Sequence, residues 1–215
     1  MVNKSQCSCI LVLKSNTLKW LRNFFFLILL PIKLLSCTSG YKKIDGKWYY
    51  VSYDEGNWAG KHNLDINHET FRVLDDKRFG KDGVKVLFEG NCIEKANATT
   101  FKIIGNDYSA DNVRVYYRSY TLFGANPNGF KTLKFPYSRD NKTLFCGNIP
   151  MKVDHIDQFT VRKKGSTVFI QPLEVFLKEN NEFMDLDSSI CKFVIFADGE
   201  AETQASNYKG FKKIN

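Results

Sequence analysis

Apolar and polar residues alternate in short runs closed by Gly, Asn and Asp, the pattern of half-buried strands separated by turns. FRVLD (71–75), VKVLFE (84–89), FKIIG (101–105) and VRVYYRS (113–119) are of this kind, and CIEKA (92–96) reads as a shorter strand. A longer period is laid over the alternation. Phe71, Phe101, Phe130 and Phe159 follow one another at steps of 30, 29 and 29 residues. Asp82, Asp111 and Asp140 recur at steps of 29, each followed by Gly or Asn and then by an apolar or aromatic run: VKVLF (84–88), VRVYY (113–117), KTLF (142–145). A fixed period in this range marks a repeat architecture. The pattern predicts an all-β fold of tandem hairpins or three-stranded meanders, about 29 residues each, forming a continuous or gently curled sheet after an N-terminal signal helix. A closed barrel or propeller is the competing arrangement, and the period is short for a four-stranded blade.

The register has exceptions at both ends. Asp45-Gly46 followed by KWYYVSY (47–53) reads as an earlier copy, with extra residues placed in a loop from Asp54 to Leu64. A degenerate unit starts at Phe159, with its turn near Lys164-Gly165 and a strand at STVFIQ (166–171). Beyond it, PLEVFLKE (172–179) and ICKFVIFAD (190–198) read as further strands, or a strand and a short helix. The polar stretch 199–215 reads as a frayed tail or cap.

Composition supports a packed β body: 43% hydrophobic and 14% aromatic, with 18 Phe and 10 Tyr among 215 residues. The formal charge of +8 suggests an anionic partner, but its placement changes that. Residues 1–36 hold five basic side chains and no acid, and removing them leaves 26 basic against 23 acidic groups. The remainder carries no polybasic arm, so nucleic acid is excluded as the expected partner.

The leader is a segment of its own. A basic stretch precedes FFFLILLPI (24–32), whose apolar run is too short to span a bilayer and fits the core of a secretory signal. Leu34-Leu35-Ser36-Cys37 follows. This end resembles a bacterial lipoprotein signal peptide, which implies cleavage between Ser36 and Cys37 and a lipid on Cys37; a retained anchor and a buried core helix are the competing readings. The expected organisation is a signal at 1–36, a short tether at 37–44, a β-repeat domain at 45–171 and a C-terminal β extension with a polar tail at 172–215.

Candidate chemistry is sparse. One Asp per 29 residues, each before Gly or Asn, is turn chemistry, and no calcium-loop pattern is present. His62, His68 and His155 share no metal-ligand spacing and read as solvated loop residues. Neither metal nor cofactor is expected. No nucleophile elbow or phosphate-cradling loop appears, and the acid pairs Asp54/Glu55 and Asp185/Asp187 sit in polar stretches. Cys146 falls where Phe88 and Tyr117 stand in neighbouring units and reads as a small core residue; one disulfide among Cys92, Cys146 and Cys191 stays open. Tyr116-Tyr117 reads as repeat-to-repeat stacking, with an exposed aromatic ladder as the alternative. Trp58, in the inserted loop, is the candidate exposed anchor for a glycan or peptide.

The stretches KIDGKWYY (43–50), KDGVKVLF (81–88), ADNVRVYY (110–117) and RDNKTLF (139–145) carry a resemblance. So do the links Ile93-Ala96-Asn97-Phe101 and Leu122-Ala125-Asn126-Phe130. Together they resemble the DKNYY repeat family of bacterial exported proteins, which implies lipid-anchored or exported modules without an assigned activity and supplies no catalytic residues. The expected protein is a lipid-anchored component of the bacterial cell envelope with a structural or binding role, not an enzyme; its partners are the membrane, through the lipid, and a protein or glycan ligand. An exported enzyme such as a glycan-active hydrolase is the alternative.

Overall fold

The computed structural model describes residues 39–53, 60–166, 168–169, 178, 194–196 and 198–214. The chain divides into two compact units, Met1–Thr38 and Ser39–Asn215, and the described architecture belongs to the second. It is all-β and antiparallel, as the alternation predicts. A three-stranded meander comes first: β1 (Gly40–Ile44), β2 (Lys47–Ser52) and β3 (Gly60–Asn63). Three four-stranded meanders follow. They are β4 (Arg72–Val73) to β7 (Asn91–Cys92) through β5 (Phe79–Lys81) and β6 (Val86–Phe88); β8 (Lys102–Gly105), β9 (Tyr108–Ala110), β10 (Val115–Tyr117) and β11 (Tyr120–Thr121); and β12 (Lys131–Thr132), β13 (Tyr137–Arg139), β14 (Leu144–Cys146) and β15 (Ile149–Met151).

The fifth meander is split. β16 (Thr160–Lys163) pairs with β19 (Glu200–Glu202), which leads to β20 (Asn207–Lys209) and β21 (Lys212–Lys213). Between them β17 (Val168–Phe169) pairs with β18 (Ile195–Phe196). Two expectations are corrected here. The strand expected at 166–171 does not complete the unit begun at Phe159, and the polar stretch 199–215 is not a tail but its remaining three strands. Its polar sequence reflects a short sheet with one buried position in each of β19 and β20, Ala201 and Tyr208, flanked by exposed Glu200, Asn207 and Lys209, while both residues of β21 are exposed. Within the 172–198 stretch, strand is described only at Ile195–Phe196.

Each meander has its own ladder, and the units share no sheet edge; side chains join them, helped between the last two by Gly165 N donating to Phe135 O at 3.1 Å. The joint is the Phe register. Phe101 lies between Phe79 of the preceding meander (5.8 Å) and Tyr116 of its own (6.4 Å). Phe130 sits likewise between Tyr108 (5.5 Å) and Phe145 (6.3 Å), and Phe159 between Tyr137 (5.3 Å) and Tyr208 (5.6 Å). Phe71 meets Tyr41 and Trp48 of the first meander and clusters with Leu87. The ring needs a small residue beneath it: a Cβ on Gly80 would stand 2.3 Å from Phe71 Cζ. The equivalent positions hold Ser109, Ser138 and Ala201. Phe71 and Phe101 are buried and Phe130 and Phe159 partly so; full burial of a Phe ring is worth about 1.5–3 kcal/mol, so the spine adds cohesion between meanders.

The Asp turns fasten each unit a second time. Asp82 Oδ1 accepts from the backbone N–H groups of Val84 (2.7 Å) and Lys85 (2.6 Å), closing its own turn. Its Oδ2 accepts from Asn67 N (2.8 Å), and the Asn67 side chain in turn accepts from Glu69 N, starting the turn that delivers Phe71. Asp111 with Asn97 (2.9 Å) and Asp140 with Asn126 (2.8 Å) repeat the clasp. In the last meander Thr203 takes the Asp position and keeps the turn, its N–H donating to Ser206 O at 2.8 Å.

Asp45 is not another such residue, which corrects its reading as an earlier copy. With Gly46 it forms a two-residue hairpin turn at φ 49° and 78°, the left-handed pair that such turns require. Part of the expected 54–64 loop is also strand: β3 pairs with β2 through its backbone, and a polar edge strand needs no apolar face. CIEKA contributes only Cys92 to a strand.

Tyr116 and Tyr117 are both fully buried, so no aromatic ladder is exposed there. Cys146 is buried at the position of Phe88 and Tyr117, and Cys92 and Cys146 are free thiols.

Candidate functional site

The first meander departs from the repeat, and a cleft opens where it meets the second. About 570 Å³ in volume, it lies between the β2–β3 edge and the β6–β7 turn, with Ser52, Tyr53, His62 and Asn63 on one side and Glu89 and Asn91 on the other. Tyr41 and Tyr50 fix the wall. The Tyr41 hydroxyl donates to Arg78 O (3.3 Å) and accepts from Gly90 N (3.1 Å), tying the two meanders together. Gly90 has φ 80°, and a Cβ there would stand 2.7 Å from Tyr50 Cβ, so only glycine lets the turn approach this ring. Glu89 holds φ 48° on the same turn. Burial, and then the negative charge of Glu89, push the Tyr50 phenol above its ordinary pKa.

His62 Nε2 lies 3.1 Å from Ser52 Oγ, directly across the β2–β3 pair from Tyr50. Among the described residues no third group hydrogen-bonds this imidazole. His68 is half-buried and structural: its Nδ1 accepts from Trp48 N at 3.0 Å, which corrects its reading as a solvated loop residue. His155 is exposed at φ 61° before a 3₁₀ turn, Ile156–Gln158. Among the described residues no three His, Cys, Asp or Glu side chains converge as metal ligands. The cleft is therefore lined by hydroxyl, amide, phenol and imidazole groups with one carboxylate, a surface suited to hydrogen-bonding a polar ligand.

Ser36, Cys37 and Trp58 lie outside the described residues, as do Asp54, Glu55, Asp185, Asp187 and Cys191. Sequence reasoning missed the cleft residues Ser52, Asn63, Glu89 and Asn91. The dipeptide Gly90-Asn91 signals a turn, and nothing local signals what faces it. Among the described residues no helix is long and apolar enough to cross a membrane.

Separate antiparallel meanders strung on a Phe spine and clasped by Asp turns define a β-repeat protein. Its sequence places it more narrowly: the chain belongs to the DKNYY family, whose profile matches residues 8–120, ending at the start of β11 in the third meander. No curated protein and no solved structure matches it.

Proposed function

We propose that this protein is a lipid-anchored component of the bacterial cell envelope whose β-repeat body has a binding role. Two features support the address. Leu34-Leu35-Ser36-Cys37 follows a short apolar run, and the compact β unit begins at Ser39, so cleavage before Cys37 leaves every meander whole. Stable anchoring needs two acyl chains or more, since one holds only weakly, and a diacylglycerol on Cys37 meets that requirement. Cys37→Ala is expected to abolish labelling by radioactive fatty acid and to move the protein from the membrane to the soluble fraction. Labelling that persists in the variant overturns the reading.

The binding role rests on the cleft between the first two meanders, with Trp58 as the anchor that the sequence singles out. Amide and hydroxyl groups there suit a glycan, and Trp58 would add a flat apolar face. In a glycan-array or cell-wall pull-down, Trp58→Ala is expected to weaken retention about tenfold, the equivalent of about 1.4 kcal/mol. Failure of the wild type to retain any glycan or wall fraction removes the basis of this part.

A further inference from the structure

Cations that stand a full repeat apart in sequence fall at one register position in three successive meanders. Arg72, Lys102 and Lys131 each follow the spine Phe, and each is exposed on the first strand of its sheet. The strands carrying Lys102 and Lys131 pack beside one another. Two of the three stand directly opposite a second cation: Arg72 pairs across the ladder with Lys81, and Lys131 with Arg139. Like charges facing each other destabilise a strand pair, and most sheets avoid them. Lys102 faces Ala110.

The inner cation of each pair is held the same way. Lys81 Nζ donates to the Ala98 carbonyl and Arg139 to the Ile156 carbonyl, in both cases 17 residues along the chain. A carbonyl orients a cation without neutralising it. Among the described residues none of these five cations forms an ion pair, while Arg78, Lys85, Arg118, Arg162, Lys163 and Lys213 all do. Burial, and after it the facing Arg72 charge, lower the Lys81 pKa. In the fifth meander the same position pairs Thr160 with Glu202, and the positive strip ends.

We infer that this strip, Arg72, Lys81, Lys102, Lys131 and Arg139, docks a linear polyanion, one phosphate or carboxylate group for each exposed cation, laid along three meanders. A charge spread over successive repeats fits an extended ligand better than a flat bilayer, which would meet one end or one patch. The exported address proposed above enters only in choosing an envelope polymer over nucleic acid as the natural occupant.

The test uses the purified protein and linear inorganic polyphosphate, titrated between 50 and 300 mM salt (about the range over which counterion release is read). Binding is expected to fall linearly with salt on logarithmic axes. Arg72→Glu/Lys102→Glu/Lys131→Glu is expected to weaken it at least about tenfold and to reduce the slope by about 2, at about 0.7 for each phosphate no longer neutralised. The neutral triple variant to Gln keeps the test open if charge reversal disturbs folding. Reversing the exposed Lys43, Lys152 and Lys164 changes net charge equally and is expected to cost far less. Equal weakening in the two reversed sets overturns the inference, as does a wild type that binds anionic phosphatidylglycerol vesicles and not polyphosphate, or binds neither. Fatty-acid labelling of Cys37 reads the address separately, so either proposal can fail alone.

Discussion

Ending the chain at Gly199 is expected to destabilise the whole repeat body, as measured by its thermal midpoint and by limited proteolysis. Residues 200–213 look dispensable in sequence, yet they supply three of the four strands in the last sheet. Tyr208 packs on Phe159 at 5.6 Å, and the Tyr137 hydroxyl donates to Gly210 O at 3.0 Å. Truncation strips both and leaves a fully buried phenol unpaired. Losing one buried aromatic costs about 3–5 kcal/mol, and an orphaned hydroxyl about 1–3 kcal/mol more. Against a total of about 5–15 kcal/mol for a domain this is severe. A fall of more than about 10 °C in the midpoint is expected, with proteolysis beginning near Phe159. Tyr208→Ala alone should reproduce roughly half of the shift. A truncated protein that melts like the intact one would show the fifth meander to be ornamental.

Asp111→Ala is expected to cost about 2–4 kcal/mol, well beyond an ordinary surface substitution. The carboxylate accepts from Asn97 N (2.9 Å), Val113 N and Arg114 N (2.7 Å each) and the Tyr116 hydroxyl (2.7 Å). Removing it orphans three backbone donors at once and leaves the Tyr116 hydroxyl only the longer contact to Lys95 O (3.3 Å). Asp111→Asn keeps an acceptor oxygen and should lose less. Burial acts to raise the Asp111 pKa, but the three backbone N–H groups and the Tyr116 hydroxyl outweigh it and hold the pKa below the ordinary value. Asp82 is lowered by the same balance. A depressed folded pKa means that the unfolded chain binds protons first. The stabilisation is therefore complete above the unfolded carboxyl value, about pH 4, and is lost as pH falls through the lower folded values. Denaturant midpoints of the wild type should drop steeply below about pH 4. Those of an Asp82→Ala/Asp111→Ala double variant should start lower and vary less over the same range. Parallel curves would count against the clasp.

How much was legible follows from range. The Phe steps and Asp turns could be read directly, because one turn and one ring per repeat are local demands that each unit must meet afresh. Cys146 was placed in the core by register alone, and burial agrees. The return of 200–213 to Phe159 could not be read in this way. Thr203 stands where Asp is expected, and an excursion containing β17 and β18 separates the strand pairs. The Asp45 turn misled for a related reason. Asp-Gly suits both a left-handed hairpin and a clasped turn, and only the pairing register of β1 with β2 tells them apart.

The sequence by itself determined the kind of fold, its period and the residues of its spine, because alternation, turn chemistry and ring spacing act within a few residues of chain. It determined family membership too, through the same repeated letters. Only the tertiary structure decided where one sheet stops and the next begins, that the polar residues 200–213 close a meander, and that a cleft opens beside Gly90. It also decided that Arg72 faces Lys81 and Lys131 faces Arg139 across their ladders. Those features depend on which strands meet across long stretches of chain, and backbone pairing of that range is set by the packed whole, not by any local pattern.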